Sequence, residues 1–172
     1  MVSLDGRNVP APTTRRIKIF VKPKKKPLWT CPRCGHRFVT RNIWHSCSRY
    51  RIADHFAGKD PMVRQLFKRF RALVRACGPV TVYAQKTAIV FQVRVRFVGT
   101  KPRRHWLDCG LWLKRRVELP RVRWIESPTP RDHVHHFRFT KLSDLDQEIV
   151  ALVREAYDVG CQKHLEVAAR GV

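Results

Sequence analysis

The chain has 172 residues, 44% of them hydrophobic and 10% aromatic, enough for one ordinary domain with a buried core plus a small appendage. The 36 Lys and Arg residues oppose 13 Asp and Glu, a formal charge of +23, and self-repulsion of that size destabilises a compact state unless a polyanion compensates it. No apolar run approaches the roughly 20 residues that cross a bilayer, and the first residues lack the apolar region of a secretory signal, so a cytoplasmic protein with no membrane partner is expected.

In chain order, residues 1–27 read as a basic, flexible tail. Pro10, Pro12, Pro23 and Pro27 break regular structure, Lys22, Lys24, Lys25 and Lys26 form a basic run, and only residues 17–21 have the composition of a short strand. Residues 28–48 carry the metal-ligand spacing taken up below. The α+β domain spans residues 49–160. After a short helical approach over 50–58, Asp60 is placed to cap a helix with Pro61 at its first position. Met62, Leu66, Phe70, Leu73, Val74 and Cys77 recur at helical spacing, and Gly78-Pro79 ends the run.

From there the period changes to two. Val80, Val82 and Ala84 make a short strand, and residues 89–98 read as one half-buried strand with Arg94 and Arg96 on its basic side. Residues 99–102 read as a turn, 104–115 as one or two strands, 122–125 as another and 134–139 as another, with 127–130 a loop. Ser143 is placed to cap a last helix whose apolar stripe is Leu145, Ile149, Leu152, Val153 and Ala156, and Gly160 closes it. Residues 161–172 read as a C-terminal tail. The order predicts an α+β fold: an antiparallel sheet of about five strands, flanked by an N-terminal and a C-terminal helix and preceded by a small zinc knuckle.

The knuckle rests on Cys31-x-x-Cys34 followed, after ten residues, by His45-x-Cys47. Two thiolates two residues apart hold one ion, Gly35 permits the tight backbone behind them, and four N/S ligands complete a closed tetrahedral site of the structural type, so one structural Zn2+ is expected. His36 is the rival nitrogen ligand, cramped by its position two residues after Cys34. Trp29, Phe38 and Trp44 are available for a small core. Cys77, Cys109 and Cys161 are scattered and read as ordinary thiols.

Outside the knuckle, Lys24, Lys25, Lys26, Arg94, Arg96, Arg103, Arg104, Lys114, Arg115 and Arg116 are the candidate phosphate contacts, with Arg121 and Arg123 nearby. They act together only if adjacent strands gather them on one face. The competing reading is a solvated basic surface. Trp106, Trp112 and Trp124 stack bases if exposed and belong to the core if not. His133 and His135 share one side of a strand. With Asp132 or Asp108 they are a candidate second metal or hydrolytic site, and with Gln85 and Lys86 a candidate ligand groove. No Gly-rich phosphate loop or nucleophile elbow occurs, so catalytic residues are not assigned and an enzyme is the less favoured reading.

Taken together, Trp29-Thr30-Cys31-Pro32-Arg33-Cys34-Gly35, Trp44-His45-Ser46-Cys47, Cys77-Gly78-Pro79-Val80, Gln85-Lys86-Thr87 and His133-Val134-His135-His136-Phe137 resemble an uncharacterised bacterial domain-of-unknown-function family, over about residues 28–160. The resemblance implies an N-terminal zinc knuckle on a small α+β domain similar to frataxin-like and iron-chaperone-like sheets, and implies no activity. The basic N-terminal tail departs from it. The leading expectation is a zinc-stabilised protein that binds nucleic acid or associates with ribonucleoprotein. The alternatives are a small-ligand or protein-binding domain and, less favoured, a metal-dependent hydrolase.

Overall fold

The computed structural model describes residues 25–165. Lys24, residues 17–21 and the end of the C-terminal tail lie outside that range. Two short strands, β1 (Trp29–Thr30) and β2 (Arg37–Phe38), form the knuckle hairpin. A 3-10 turn at Ile52–Phe56 leads into α1 (Pro61–Ala76). Six strands follow: β3 (Thr81–Ala84), β4 (Ile89–Gln92), β5 (Arg96–Pro102), β6 (Leu107–Leu113), β7 (Val122–Thr129) and β8 (Asp132–Phe139). The chain then enters α2 (Gln147–Gly160). The sheet order is β3-β4-β5-β6-β8-β7 and every neighbour is antiparallel, so a four-strand meander is extended by a hairpin whose second strand pairs with β6. Six strands replace the expected five because one predicted strand divides.

That division is at residues 93–95. The alternation over 89–98 is real, but the chain reverses in its middle, and the amides of Arg94 and Val95 both donate to the Gly160 carbonyl at the end of α2 (3.0 and 3.2 Å). Arg94 therefore lies in a turn and Arg96 opens β5; they do not share one strand. Residues 99–102 are strand rather than turn: Gly99 pairs with Gly110, and the reversal comes later, closed by the Arg103 amide on the Trp106 carbonyl (2.8 Å). Likewise Ser127, Pro128 and Thr129 continue β7, an edge strand where proline costs no ladder bond.

Both helices cover one face of the sheet. α1 buries Val63, Leu66, Phe67, Phe70 and Val74, while Met62, expected on that face, is exposed. Asp60 precedes α1 without a side-chain cap, because its carboxylate meets His105 Nδ1 at 2.6 Å instead. α2 buries Ile149, Leu152, Val153 and Ala156. Its cap is Asp146, which accepts from the Ile149 amide (3.1 Å); Ser143 sits in a separate 3-10 turn at Leu142–Asp144. These helical faces meet Leu107, Leu111, Phe137 and Phe139 on the inner face of the sheet. Among the described residues, no helix is long and apolar enough to cross a membrane.

The opposite, outer face has no helix over it. In register across it stand Tyr83, Val90, Gly99, Gly110, His136 and Trp124. The knuckle covers only its β3–β4 end, where Gln92 Nε2 donates to the Arg37 carbonyl and the His36 ring packs on Tyr83, centroids 4.4 Å apart.

Candidate metal centre and the exposed sheet face

The Cys31–Cys34 turn is carried by the β1–β2 hairpin. The Cys31 amide donates to the His36 carbonyl and the Gly35 amide to the Cys31 carbonyl, each 2.9 Å, and this tight return puts Gly35 at φ +75°, a left-handed conformation that favours glycine. The second pair arrives on the following loop. His45 Nδ1 is 2.8 Å from the Ile43 carbonyl, which fixes it as the protonated nitrogen and turns Nε2 toward the sulfurs. Nε2 lies 3.2 Å from Cys34 Sγ and 3.5 Å from Cys47 Sγ, and Cys31 Sγ lies 3.9 Å from Cys47 Sγ.

All four ligand atoms lie within 4.8 Å of one another. Metal–ligand bonds of about 2.0–2.3 Å in a tetrahedron require edges of roughly 3.5–3.8 Å. The donor set and its spacing therefore fit a metal ion, and Cys31, Cys34, His45 and Cys47 could hold one. Among the described residues they are the one group of three or more His, Cys, Asp or Glu side chains so placed.

The electrostatics favour ionised sulfur at Cys31. Burial acts to raise the Cys31 thiol, but the backbone N–H groups of Cys34 and Arg33, then the side chains of Cys34 and His45, outweigh it and bring its pKa down to about 6. Burial and the neighbouring thiols push Cys47 up, as expected when one proton is shared among crowded sulfurs. His36 is not in the ligand set: its Nδ1 stands 3.3 Å from Cys34 Sγ, beside the ligand sulfur. Of the aromatics expected in the module's core, Phe38 is buried and packs on His45 (4.5 Å) and Trp29 (6.1 Å), but Trp44 is 91% exposed.

The predicted phosphate contacts are not gathered on one face. Arg103 and Arg104 lie in the β5–β6 turn, at the far end of the sheet from Lys114, Arg115 and Arg116, which follow β6. Four of them are matched to carboxylates: Arg103 to Asp108 (2.9 Å), Lys114 to Asp132 (2.5 Å), Arg115 to Glu155 (2.8 Å) and Arg116 to Glu118 (2.9 Å). Arg94 donates to Gln162 Oε1 and the Lys26 carbonyl, while Lys25 reaches the Cys161 carbonyl, so this stretch of the expected flexible tail is pinned to the end of α2. Arg96 donates to Tyr83 Oη at 2.8 Å.

The histidines also part company with their expected partners. His135 is fully buried on the inner face and its Nε2 accepts the Val117 amide (2.8 Å); His133 lies 2.8 Å from Ser127 Oγ. Asp108 and Asp132 project from the outer face, and Asp132, held by Lys114, Thr129 and Trp112, has its pKa lowered to about 2. Gln85 and Lys86 occupy the β3–β4 hairpin, three strands away from β8, so no groove joins them to His133 and His135.

What sequence reading missed is a trough on the outer face. Three cavities of about 200, 140 and 190 Å3 run from the knuckle across the sheet. The first two share Arg96 and Trp112, and the second and third share Gly99, Gly110 and Val134, so they form one continuous depression. The paired glycines lower its floor: a Cβ on Gly99 would meet nothing within 4 Å. Trp44 and Ile43 rim one end. Trp124, 51% exposed and stacked on His136 (4.2 Å, 10°), stands at the other. Two glycines inside alternating strands are the sequence signal for such a dip.

The fold and the Cys3His cluster thus define a small α+β domain with a group that could hold a metal ion beside its sheet. The chain belongs to the family described as Domain of unknown function (DUF5655), whose model matches residues 52–160. The four metal-site residues precede the matched segment. No curated protein and no solved structure matches the chain.

Proposed function

We propose that the protein binds nucleic acid along the outer-face trough, with a zinc ion stapling the knuckle that forms one wall. The observation that carries this reading is the trough itself: a concave strip with no helix over it, rimmed by Trp44, Trp112 and Trp124 and by Arg94, Arg96 and Lys101, in a chain of formal charge +23. Aromatic faces along a basic groove suit bases unstacked from one another, so single strands are favoured over duplex. Zinc is favoured by three thiolates and one imidazole in a closed tetrahedral set, where it acts structurally and leaves no open coordination position. Asp108, which lines the trough, is neutralised by Arg103 and Arg138, and Glu126 pairs with His136.

Fluorescence anisotropy with single-stranded RNA, single-stranded DNA and duplex DNA across a salt series tests this. Single strands should bind more tightly, with log K falling linearly against log salt. Trp124→Ala, at an exposed position, should weaken single-strand binding about 10-fold through loss of one stacking surface. Equal, weak binding to all three that vanishes in modest salt would reduce the charge to a generic surface property.

A further inference from the structure

A second cavity, of about 240 Å3, lies between the knuckle and the β3–β4 hairpin. Lys86 and Arg96 bring charge to its lining, and Ser46, Ser48, Tyr83 and His36 bring polar atoms; no Asp or Glu lines it. The lining thus joins two cations in one concave space without an acid. Arg103 and Lys114, which border the outer face elsewhere, face Asp108 and Asp132, whereas among the described residues no carboxylate pairs with Lys86 or Arg96. Two unmatched cations around a concave space concentrate positive potential there.

The lining is also held in place. The Gln85 amide donates to the Ala88 carbonyl, and His55 Nε2 bonds the Gln85 carbonyl (2.9 Å), which fixes the turn that presents Lys86. Arg96 uses Nε on Tyr83 Oη, and Tyr83 in turn donates to Gln92 Oε1 (3.0 Å). The Ser48 amide donates to Ser46 Oγ (3.3 Å), leaving the Ser46 hydroxyl proton to donate elsewhere.

We propose that this cavity is a binding site for a phosphate group, with Lys86 and Arg96 supplying the charge and the Ser46 and Ser48 hydroxyls the hydrogen bonds. Two cations with several neutral donors and no acid nearby are the chemistry that a compact dianion selects. The site goes beyond the trough reading and does not depend on it. The two cavities share Phe38 and Arg96 as walls, so the phosphate comes either from solution or from the end of a strand lying in the trough.

The test is an amide NMR titration of the metal-loaded full chain with sodium phosphate, against sodium chloride at matched ionic strength. Saturable shifts at Gln85, Lys86, Thr87, Ser46 and Ser48 with phosphate alone are expected. Lys86→Ala, on an exposed turn, should weaken phosphate about 10-fold while leaving metal content and melting temperature unchanged. Shifts equal to those of chloride, or an affinity untouched by both Lys86→Ala and Arg96→Gln, would overturn the proposal. Oligonucleotides with 5′-phosphate or 5′-hydroxyl ends then separate the sources. A preference for the phosphorylated end assigns a strand terminus, and no preference beside intact phosphate binding assigns the free ion; both keep the site. Loss of the trough reading in the salt series leaves this titration unaffected.

Discussion

Between residues 28 and 48 only Cys31 and Phe38 are buried, whereas α1 alone buries Val63, Leu66, Phe67, Phe70 and Val74 against the sheet. The knuckle has two-residue strands and too little apolar area to offset the entropy of ordering about twenty residues. The domain over 52–160 has a contiguous apolar core. The two parts touch through few contacts, chiefly His36 on Tyr83 and Gln92 on the Arg37 carbonyl. If a metal fills the Cys3His group as proposed, one chain carries a part ordered by coordination beside a part ordered by burial, and the two should respond separately to the same perturbation.

Metal removal should produce the largest separation. Structural zinc supplies an apparent folding free energy of about 10–16 kcal/mol in isolated knuckle-sized peptides, far more than residues 28–48 can replace by burial. Chelation should abolish hydrogen-exchange protection of the Cys31 and Gly35 amides and leave α1 and β4–β6 protected. Cys34→Ser should do the same without chelator. Cooperative loss of the whole domain would show instead that the knuckle and the core form one unit.

How far this division could be read from sequence depends on where each signal is stored. The Cys3His cluster was legible because Cys-x-x-Cys and His-x-Cys are local patterns, and the hairpin and following loop bring Cys31, Cys34, His45 and Cys47 within 4.8 Å, where they could hold a metal ion. The helices were legible from period, although the α1 stripe included exposed Met62 and omitted buried Val63 and Phe67. The turn at residues 93–95 was hidden because no Gly, Pro or Asn marks it; the Gly160 carbonyl of a distant helix holds it. Gly99 and Pro102 misled for the complementary reason, being turn residues by type but placed in β5 by a sheet that uses the glycine as a depression and buries the proline. The trough was invisible until strand order placed Gly99 beside Gly110, since adjacency across strands is a property of topology and not of local pattern.

Acid should sharpen the contrast from the domain's side. Burial lowers the pKa of His135, so the folded domain holds this ring neutral while the unfolded chain protonates it near pH 6.5. Below that pH the unfolded state binds the extra proton, so stability rises with pH through the window between the folded pKa and about 6.5 and is lost as pH falls through it. His135→Gln keeps an acceptor for the Val117 amide and removes the titration. Urea midpoints at pH 7.5 and pH 5 should drop less in the variant than in the parent. Because the knuckle is common to both, proton competition at its sulfurs cancels in the difference, and an equal drop would remove His135 from the account.

The smallest effect concerns the start of α2, and it separates two readings of one short stretch. Ser143 has the residue type of a cap, but the preceding 3-10 turn places it outside the helix; the turn is held by the Asp144 carboxylate, which accepts the Thr140 and Lys141 amides at 2.7 and 3.0 Å. Asp146 accepts the Ile149 amide and also pairs with Arg121 at 2.7 Å. Asp146→Ala should therefore cost about 1 kcal/mol of domain stability, the usual worth of an N-cap, and Ser143→Ala close to nothing. The Arg121 pair adds little to that figure, because both side chains are more than a third exposed and solvent screens them. Chemical denaturation followed at the far-ultraviolet helix signal reads both variants. A larger loss from Ser143→Ala than from Asp146→Ala would mean that the helix begins one turn earlier in solution, and that the capping choice written in the local sequence outweighs the packing of Leu145 into the core.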